Sequence, residues 1–390
     1  MIVRLAIVKW EHDKRMQGQR DDVSVDPRRI VVKVGSSILT RPDGTLDTAF
    51  IARLVRGLSA LHAQGRAVLL VSSGAVAAGR AHLPAAPSRT DIPTRQMLAA
   101  IGQPRLMNAY ARAFARHGRV VAQALLTQGD VADRARYLSA RTTLLSLLDE
   151  GVAPIVNEND VVADDELRFG DNDRLSAVAA MLIDADLLVL LSDVPGLFDR
   201  DPRHDPAAAP IPFVARIDSA IEALAKPSSS GLGTGGMVTK LQAAKLATTA
   251  GVATVIAAGR ERAVLERIVA GDAVGTRFAP ARRGGARQHW LRARLGARGA
   301  LVVDEGAANA LEHGGRSLLP AGIRAVRGSF KRGEAVDVVT LDGAALAHGL
   351  VNYDAPDLAR LQGRRSGDIM TVLGYHYGDE AIHRNNLVLL

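Results

Sequence analysis

Short apolar segments alternate with longer amphipathic segments from residue 29 to residue 257. Short runs of Val, Ile, Leu and Ala are typical of strands buried on both faces, and apolar residues at helical spacing predict the helices between them. The strands are predicted at 30–34, 67–71, 120–126, 152–156, 187–191 and 253–257. The helices are predicted at 48–64, 93–117, 134–150, 172–184 and 237–250. This alternation predicts an α/β domain whose mainly parallel sheet is covered on both faces.

The composition and the spacing of apolar residues change after residue 275. Residues 276–298 are rich in arginine and glycine and are interpreted as a basic linker. Over residues 299–390, short apolar runs are interrupted by Gly and Pro, which predicts a small, mostly β domain with helices at 307–312 and 355–361. Residues 1–25 show no sustained period and are interpreted as an N-terminal extension. The main domain is therefore predicted over residues 26–275.

Composition narrows the class of protein. The 390 residues carry a formal net charge of +8, and no apolar run is long enough to span a bilayer. The absence of cysteine excludes disulfides and thiol chemistry. The apolar first residues lack the long core and the cleavage site of a signal peptide. We therefore expect a cytoplasmic protein with no membrane partner.

Part of the positive charge is concentrated in the predicted linker. Seven arginines and no acidic residue lie between Arg277 and Arg298. A solvated linker explains this composition, and a contact surface for nucleic acid or another subunit explains it as well. The sequence leaves both interpretations open.

Two predicted strands end in small residues that suit an anion. The first continues through residues 32–37 (VKVGSS), where backbone N–H groups can approach an anion and Lys33 can reach it. The second continues through residues 71–79 (VSSGAVAAG) into a predicted helix start, where Ser73 can donate to a carboxylate or phosphate. A tight turn in the first case, and close helix–sheet packing in the second, would also explain these residues.

Polar side chains are dense after the fourth strand, in residues 157–160 (NEND) and 169–173 (FGDND). Because unpaired buried polar groups cost free energy, these side chains need partners. Asn and Asp together can accept from an ammonium group and donate to a carboxylate, which suits an amino acid ligand. Asp171 or Asn172 can instead cap the next helix, but a cap accounts for only one of these residues.

A fifth strand end and a glycine-rich segment complete the set. The strand ends at Ser192 and Asp193, whose carboxylate could orient a lysine or meet a metal or nucleotide group. Residues 230–240 (SGLGTGGMVTK) place successive glycines before a helix, with Lys240 one turn inside it, which predicts a phosphate cradle. The segment lacks the Gly-Lys-Ser/Thr ending of a P-loop, and its G-x-G-x-x-G match lacks the preceding strand that a dinucleotide site requires.

These segments lie at the carboxyl ends of parallel strands, so we expect them to meet at one edge of the sheet. Two lysines can flank a migrating phosphoryl group, glycine amides can hold its oxygens, and an acid can align the lysines. Phosphoryl transfer depends on positioning and charge neutralisation more than on a protein nucleophile. The sequence therefore predicts a phosphotransferase.

Residues 32–37, 71–75, 157–160, 170–173 and 231–240 resemble the motifs of the glutamate 5-kinases, the amino acid kinases that begin proline synthesis. The resemblance covers roughly residues 27–390. It implies a three-layer α/β/α sandwich around a mainly parallel sheet. It also implies transfer of the γ-phosphoryl group of ATP, with Mg²⁺, to the γ-carboxylate of L-glutamate. Other amino acid kinases act on acetylglutamate, aspartate, carbamate or UMP, and the 157–160 cluster and the C-terminal domain argue against each.

The resemblance also implies roles for individual residues. Lys33 and Lys240 would stabilise the phosphoryl group in flight, with Asp173 holding both lysines in place. L-Glutamate would be bound by Ser73, Asn157, Asp160 and Asn172. ATP would be contacted by Lys33, Ser192, Asp193, Thr234, Gly235, Gly236, Met237, Val238, Thr239 and Lys240. No protein ligand to the metal is expected, since Mg²⁺ would be held mainly by the ATP phosphates.

The C-terminal domain resembles a PUA domain through residues 317–323 (SLLPAGI) and 328–336 (GSFKRGEAV). PUA folds often bind RNA, although the motif alone does not imply that role here. The resemblance further implies inhibition by proline and a homodimer or homotetramer. An RNA-binding regulator with a metabolite-sensing kinase half is the alternative from another class. The intact pair of Lys33 and Lys240 argues against it.

Overall fold

Two separate β-sheets divide the chain into two compact units. The computed structural model describes residues 26–83, 85, 89, 91–163, 172–202, 204–225, 236–281 and 297–390. The first unit comprises the described residues of Met1–Gly129 and Leu144–Arg283, and the second those of Asp130–Thr143 and Gly284–Leu390. The predicted N-terminal extension and most of the predicted linker lie outside the described residues. The domain boundaries inferred from the sequence stay a prediction.

Within the described residues, the first unit is built on an eight-stranded sheet. Its strands are β1 (Arg29–Val34), β2 (Ala67–Ser72), β3 (Val121–Leu126), β4 (Ala153–Glu158), β5 (Leu187–Ser192), β6 (Phe213–Val214), β7 (Ala253–Ala258) and β8 (Thr276–Phe278). They are ordered β3-β4-β2-β1-β5-β7-β8-β6, and among them only β7 and β8 pair antiparallel. The six longer strands coincide with the six predicted ones, so the mainly parallel α/β class is confirmed. β8 lies in the segment predicted to be a linker.

Alternation along the strands determines the face that each side chain takes. In β1, Ile30, Val32 and Val34 belong to one hydrophobic core, together with alternate residues of β2, β4, β5 and β7. Lys33 lies between them and points to the opposite face, because successive side chains of a strand alternate. It is only 2% exposed. A buried lysine requires a charged partner, so the opposite face must supply one.

Helices cover both faces of this sheet. Among the described residues up to 281, the helices are α1 (Ser36–Leu39), α2 (Thr48–Ala63), α3 (Ala75–Arg80), α4 (Ile92–Ala115), α5 (Gln128–Ala132), α6 (Arg134–Asp149), α7 (Asn172–Leu182), α8 (Ser219–Ala223), α9 (Met237–Thr249) and α10 (Val264–Val269). α2, α4 and α10 contribute to the core that contains Val32. α7 and α9 pack against each other and against central strands on the face to which Lys33 points. This is the predicted three-layer sandwich, and no described helix is long and apolar enough to cross a bilayer.

The helices α3 and α4 cross at two glycines. A Cβ atom added to Gly79 would lie 1.9 Å from the carbonyl oxygen of Leu98, and one added to Gly102 would lie 1.8 Å from that of Ala75. Real Cβ atoms do not approach other atoms so closely. The two backbones are therefore in direct contact at this crossing.

The second unit contains a five-stranded sheet in the order β10-β9-β11-β12-β13. Its strands are β9 (Gly299–Val303), β10 (Ile323–Gly328), β11 (Ala335–Val339), β12 (Ala345–Leu350) and β13 (Leu387–Leu389), and its helices include α11 (Glu305–Glu312), α12 (Ala355–Leu361) and α13 (Ile369–Leu373). A hydrophobic core of its own contains Leu301, Tyr353 and Leu358. The predicted small β domain is confirmed, and so are the two helices predicted within it.

Candidate active site

Two lysines from distant parts of the sequence share one buried carboxylate. Lys33 Nζ lies 2.5 Å from Asp173 Oδ1, and Lys240 Nζ lies 3.2 Å from Asp173 Oδ2. The Thr239 hydroxyl donates to Asp173 Oδ2 at 2.9 Å. The Asp173 side chain is fully buried, and those of the two lysines are nearly so. The structure thus brings together the three residues that the sequence predicted to be catalytic.

The local sequence explains how these side chains meet. α7 begins at Asn172, so Asp173 lies in its first turn, where a carboxylate interacts favourably with the helix dipole. α9 begins after Gly236, which places Lys240 one turn inside the helix. Both helices pack on the sheet face to which Lys33 points. The alternation of β1 and the starts of two helices therefore converge on one point.

Asp173 remains ionised in this setting. Burial on its own raises the pKa of the Asp173 carboxyl group, but Lys33, Lys240 and the hydrogen bonds to the carboxylate outweigh burial and hold that pKa below its usual value. The formal charges of the three side chains sum to +1. The trio of Lys33, Lys240 and Asp173 therefore offers a net positive charge, which a phosphoryl group with negative oxygens requires.

A second set of buried polar groups joins the ends of β2 and β4 to the start of α7. Asn172 Nδ2 donates to Asn157 Oδ1 at 2.8 Å, to Ser73 Oγ at 2.9 Å and to the carbonyl of Ser72 at 3.2 Å. Asn157 Oδ1 also accepts from the backbone N–H of Glu158 at 2.9 Å. Three of the four residues predicted to bind L-glutamate therefore belong to one hydrogen-bond network.

The backbone fixes the donor and acceptor roles in this network. The Ser72 carbonyl can only accept, so Asn172 must present Nδ2 to it, and the Glu158 N–H can only donate, so Asn157 must present Oδ1. Ser73 Oγ accepts from Asn172, which leaves the Ser73 hydroxyl proton for another acceptor. Ser73 can therefore donate to a carboxylate bound beside it.

One cavity of about 670 Å³ collects most of these groups. Its wall includes Lys33, Ser73, Asn157, Asp160, Asn172, Ser192, Asp193 and Lys240. These residues come from the carboxyl ends of parallel strands and from the helix starts that follow, where ligands of such sheets are bound. The volume lies in the range of small-molecule sites.

The residues predicted to bind ATP divide into three groups. Those that line the cavity are Lys33, Ser192, Asp193 and Lys240. Those that belong to the start of α9 and do not line it are Gly236, Met237, Val238 and Thr239. Thr234 and Gly235 lie outside the described residues, as do Gly170 and Asp171 of the neighbouring motif. Ser192 Oγ donates to Asp193 Oδ1 at 3.0 Å, so these two polar side chains act as a pair.

Two arginines of the cavity wall were missed by the sequence analysis. Arg80 is the last residue of α3, and Arg95 lies in the first turn of α4. Arginine is by far the commonest basic residue of this chain, so a single arginine in a predicted helix carries no signal. Asp43 and Gly44 also reach the cavity, from a tight turn in which Asp43 accepts from the backbone N–H of Thr45.

Two further residues of α4 reach the polar network without lining the cavity. Gln103 Oε1 accepts from Asn157 Nδ2 at 2.8 Å, and the Tyr110 hydroxyl lies 2.8 Å from Ser72 Oγ. Both residues lie in the helix predicted at 93–117, and their positions in the sequence indicate no role for either.

Two segments of the chain match known protein families. Residues 28–258 match the model of the amino acid kinase family, and residues 299–373 match that of the PUA domain. Among solved structures, a UMP kinase from Bacillus anthracis is 16% identical with a TM-score of 0.47, and covers 65% of this chain and 96% of its own. An isopentenyl phosphate kinase is 19% identical with a TM-score of 0.46, and covers 64% of this chain and 100% of its own.

Curated relatives are similar over almost the whole chain. A glutamate 5-kinase of Syntrophotalea carbinolica is 48% identical over 95% of this chain and 99% of its own. One of Herpetosiphon aurantiacus is 50% identical over 92% and 98%, and one of Stutzerimonas stutzeri is 49% identical over 95% and 100%.

Proposed function

The chain belongs to the glutamate 5-kinases of the amino acid kinase family, and from that premise we propose that it transfers the γ-phosphoryl group of ATP to the γ-carboxylate of L-glutamate. The products are γ-glutamyl phosphate and ADP. Mg²⁺ enters with ATP as part of the nucleotide substrate. The reaction is proposed as the first step of proline biosynthesis.

The observation that best supports this proposal is the pair of lysines on one carboxylate. During phosphoryl transfer, negative charge is spread over the oxygens of the migrating group and the leaving oxygen. Lys33 and Lys240 line the cavity, and Asp173 holds both ammonium groups in place. The two cations can therefore meet the developing charge without reorganising. Asp173 acts behind them as a positioning residue.

The acceptor of this reaction needs no general base. The side-chain carboxyl of glutamate has a pKa of about 4.3, so it is already an anion at neutral pH and can attack phosphorus directly. The obstacle is the repulsion between this anion and the phosphate oxygens. The net charge of the trio reduces that repulsion, which is the catalytic contribution that we assign to it.

We assign recognition of the amino acid to the network around Asn172. Ser73 has a hydroxyl proton to donate to a carboxylate, and Asp160 offers a carboxylate to the α-ammonium group. Asn157 holds Asn172 from the end of β4, and we place Asn157 near the α-ammonium group. For ATP we assign Ser192 and Asp193, together with the lysine pair and residues 234–239.

Purified protein incubated with ATP, Mg²⁺, L-glutamate and hydroxylamine is expected to form γ-glutamyl hydroxamate, because hydroxylamine traps acyl phosphates. The product is measured as its coloured iron complex. L-Aspartate, which is one methylene shorter, and N-acetyl-L-glutamate, which lacks the ammonium group, are the matched controls. Hydroxamate formed from either control but not from L-glutamate would contradict the proposed acceptor.

We also propose that L-proline inhibits the enzyme at the amino acid part of the cavity. Proline carries the same α-carboxylate and a secondary α-ammonium group, so Ser73 and Asp160 can bind both ligands. The residues that line the cavity all belong to the first unit, and the PUA domain contributes none of them.

Removal of residues 299–390 is therefore expected to leave glutamate turnover measurable and proline inhibition at least partly intact. By contrast, Asp160→Ala should weaken the binding of both L-glutamate and L-proline. The measurements are the KM for glutamate and the proline concentration that halves the rate. Coupling between distant sites typically amounts to about 1–3 kcal/mol. Loss of a true regulatory domain would therefore raise the proline concentration that halves the rate by a measurable factor. A truncated enzyme that turns over glutamate normally but ignores proline would assign inhibition to the PUA domain.

We propose a cytoplasmic location, since the reaction consumes ATP and the chain has no cysteine. A homodimer or homotetramer is proposed from the resemblance. RNA binding by the PUA domain stays a prediction.

A further inference from the structure

Helix α4 supports the amino acid part of the cavity through two side chains. Gln103 and Tyr110 are seven residues apart, about two helical turns, and so lie on the same face of the helix. Gln103 contacts Asn157 at the end of β4, and Tyr110 contacts Ser72 at the end of β2. Neither side chain lines the cavity, whereas Asn157 and the neighbouring Ser73 do.

We propose that Gln103 and Tyr110 are positioning residues for the acceptor amino acid. Each fixes the direction of one hydrogen-bonding group at the wall of the amino acid site, and neither touches the ligand. This inference rests on the proposed function, because it concerns the same acceptor.

Gln103 acts through the side-chain amide of Asn157. Asn157 is almost completely buried, and its Oδ1 is committed to Glu158 N–H and Asn172 Nδ2, so its Nδ2 must find an acceptor on the other side. Gln103 Oε1 is that acceptor. Without it, the Glu158 N–H still directs Asn157 Oδ1, but the buried Nδ2 loses its acceptor and the orientation in which Asn157 receives Asn172 is held less firmly. Asn172 would then lose the geometry in which it orients Ser73.

The orientation in which Gln103 contacts Asn157 leaves the other end of its amide group unpaired among the described residues. Within the described part of the chain, Gln103 Nε2 is buried and has no hydrogen-bond partner. A buried donor without a partner is destabilising, and an apolar side chain of similar size would avoid it. An apolar side chain would, however, leave Asn157 Nδ2 without its acceptor, so the glutamine is explained by what its Oε1 does for Asn157.

Tyr110 acts through the backbone next to Ser73. The Ser72 hydroxyl has one proton and donates it to the carbonyl of Ser73 at 2.9 Å, so Tyr110 must donate to Ser72 Oγ. Tyr110 is fully buried, and burial raises the pKa of its hydroxyl, so the donor persists across the working pH range. The chain of two hydrogen bonds fixes the peptide between Ser73 and Gly74. Gly74 there has φ +105°, and the fixed peptide directs Ser73 toward Asn172.

The test uses Gln103→Leu and Tyr110→Phe in the full-length enzyme, since both keep the side-chain size and remove one hydrogen bond. The KM for glutamate is expected to rise about tenfold in each, with kcat and the KM for ATP within about twofold of wild type. The controls are Gln64→Leu at an exposed glutamine and Tyr353→Phe at a buried tyrosine that donates to the carbonyl of Gly378. Both controls are expected to leave the KM for glutamate unchanged.

A double-mutant cycle distinguishes an effect of Tyr110 on the glutamate site through Ser72 from a general effect on the stability of the fold. If Tyr110 acts through Ser72, then Tyr110→Phe should have little further effect on the KM for glutamate in a Ser72→Ala background. Ser72→Ala alone should reproduce the selective rise, and it serves as the second variant if Tyr110→Phe does not fold.

Unchanged KM for glutamate in the folded variants would overturn the inference. A parallel rise in both KM values with a lowered unfolding temperature would overturn it as well, because that pattern indicates structural support only. If wild-type enzyme fails to phosphorylate glutamate, the proposed function is contradicted. Normal wild-type turnover with unaffected variants contradicts only the role of Gln103 and Tyr110.

Discussion

Replacement of Lys240 by alanine is expected to lower kcat by about 10²-fold or more, with a much smaller change in the KM for ATP. The Lys240 ammonium group is buried at the cavity wall and held 3.2 Å from Asp173 Oδ2. Its charge is needed most when the phosphoryl group is in flight, so its loss affects the transition state more than ground-state binding. Steady-state kinetics with L-glutamate measures both constants.

Two further variants sharpen this test. Lys240→Arg should not restore kcat fully, because the planar guanidinium is bulkier and directs its charge differently. Lys245→Ala is the matched control, since Lys245 lies on the same helix but is 51% exposed and paired with Glu222. It should retain nearly all activity. A near-normal kcat for Lys240→Ala would show that Lys240 has no catalytic role.

Gly102→Ala is expected to cause a large loss of stability. The added methyl group would lie 1.8 Å from the carbonyl oxygen of Ala75, which is backbone and cannot rotate away. α3 and α4 must therefore separate, at an expected cost of about 3 kcal/mol or more in the free energy of unfolding. Thermal unfolding followed by circular dichroism should show a midpoint lowered by roughly 6 °C or more.

Gly57→Ala is the control for this prediction. Gly57 lies inside α2, and an added Cβ would meet only side-chain atoms of Leu265 and Glu266 at 3.4 Å. Alanine favours helix over glycine by about 1 kcal/mol, and this gain offsets the cost of the close side-chain contacts. The variant should therefore be close to wild type in stability. Equal midpoints for the Gly57 and Gly102 variants would mean that the contact between α3 and α4 is loose.

The sequence was sufficient to predict the six longer strands of the sheet and the meeting of its motifs. Each of the six longer strands contains a short, mostly apolar segment of the sequence. Parallel strands bring their carboxyl ends to one edge of the sheet. Lys33 and Asp173 were expected to be close because one ends a strand and the other begins a helix at that edge. Lys240 follows from the glycine-rich segment before α9.

Contacts made by the middle of a helix could not be predicted in this way. Gln103 and Tyr110 lie inside α4, and their helical spacing does not reveal which strand end they meet. That depends on the close crossing of α3 and α4, which is a tertiary contact. β8 was missed for a different reason, because it has only three residues and lies beside an arginine-rich segment.

Any single mutation in the trio of Lys33, Lys240 and Asp173 is expected to lower the stability of the fold. Removal of Asp173 alone leaves two buried ammonium groups without the carboxylate that they share. Breaking a buried ion pair by removing one partner is more harmful than replacing the whole set with apolar residues. In a lineage that abandons the kinase activity, the three positions should therefore be replaced together by apolar residues, because each single replacement breaks a buried ion pair.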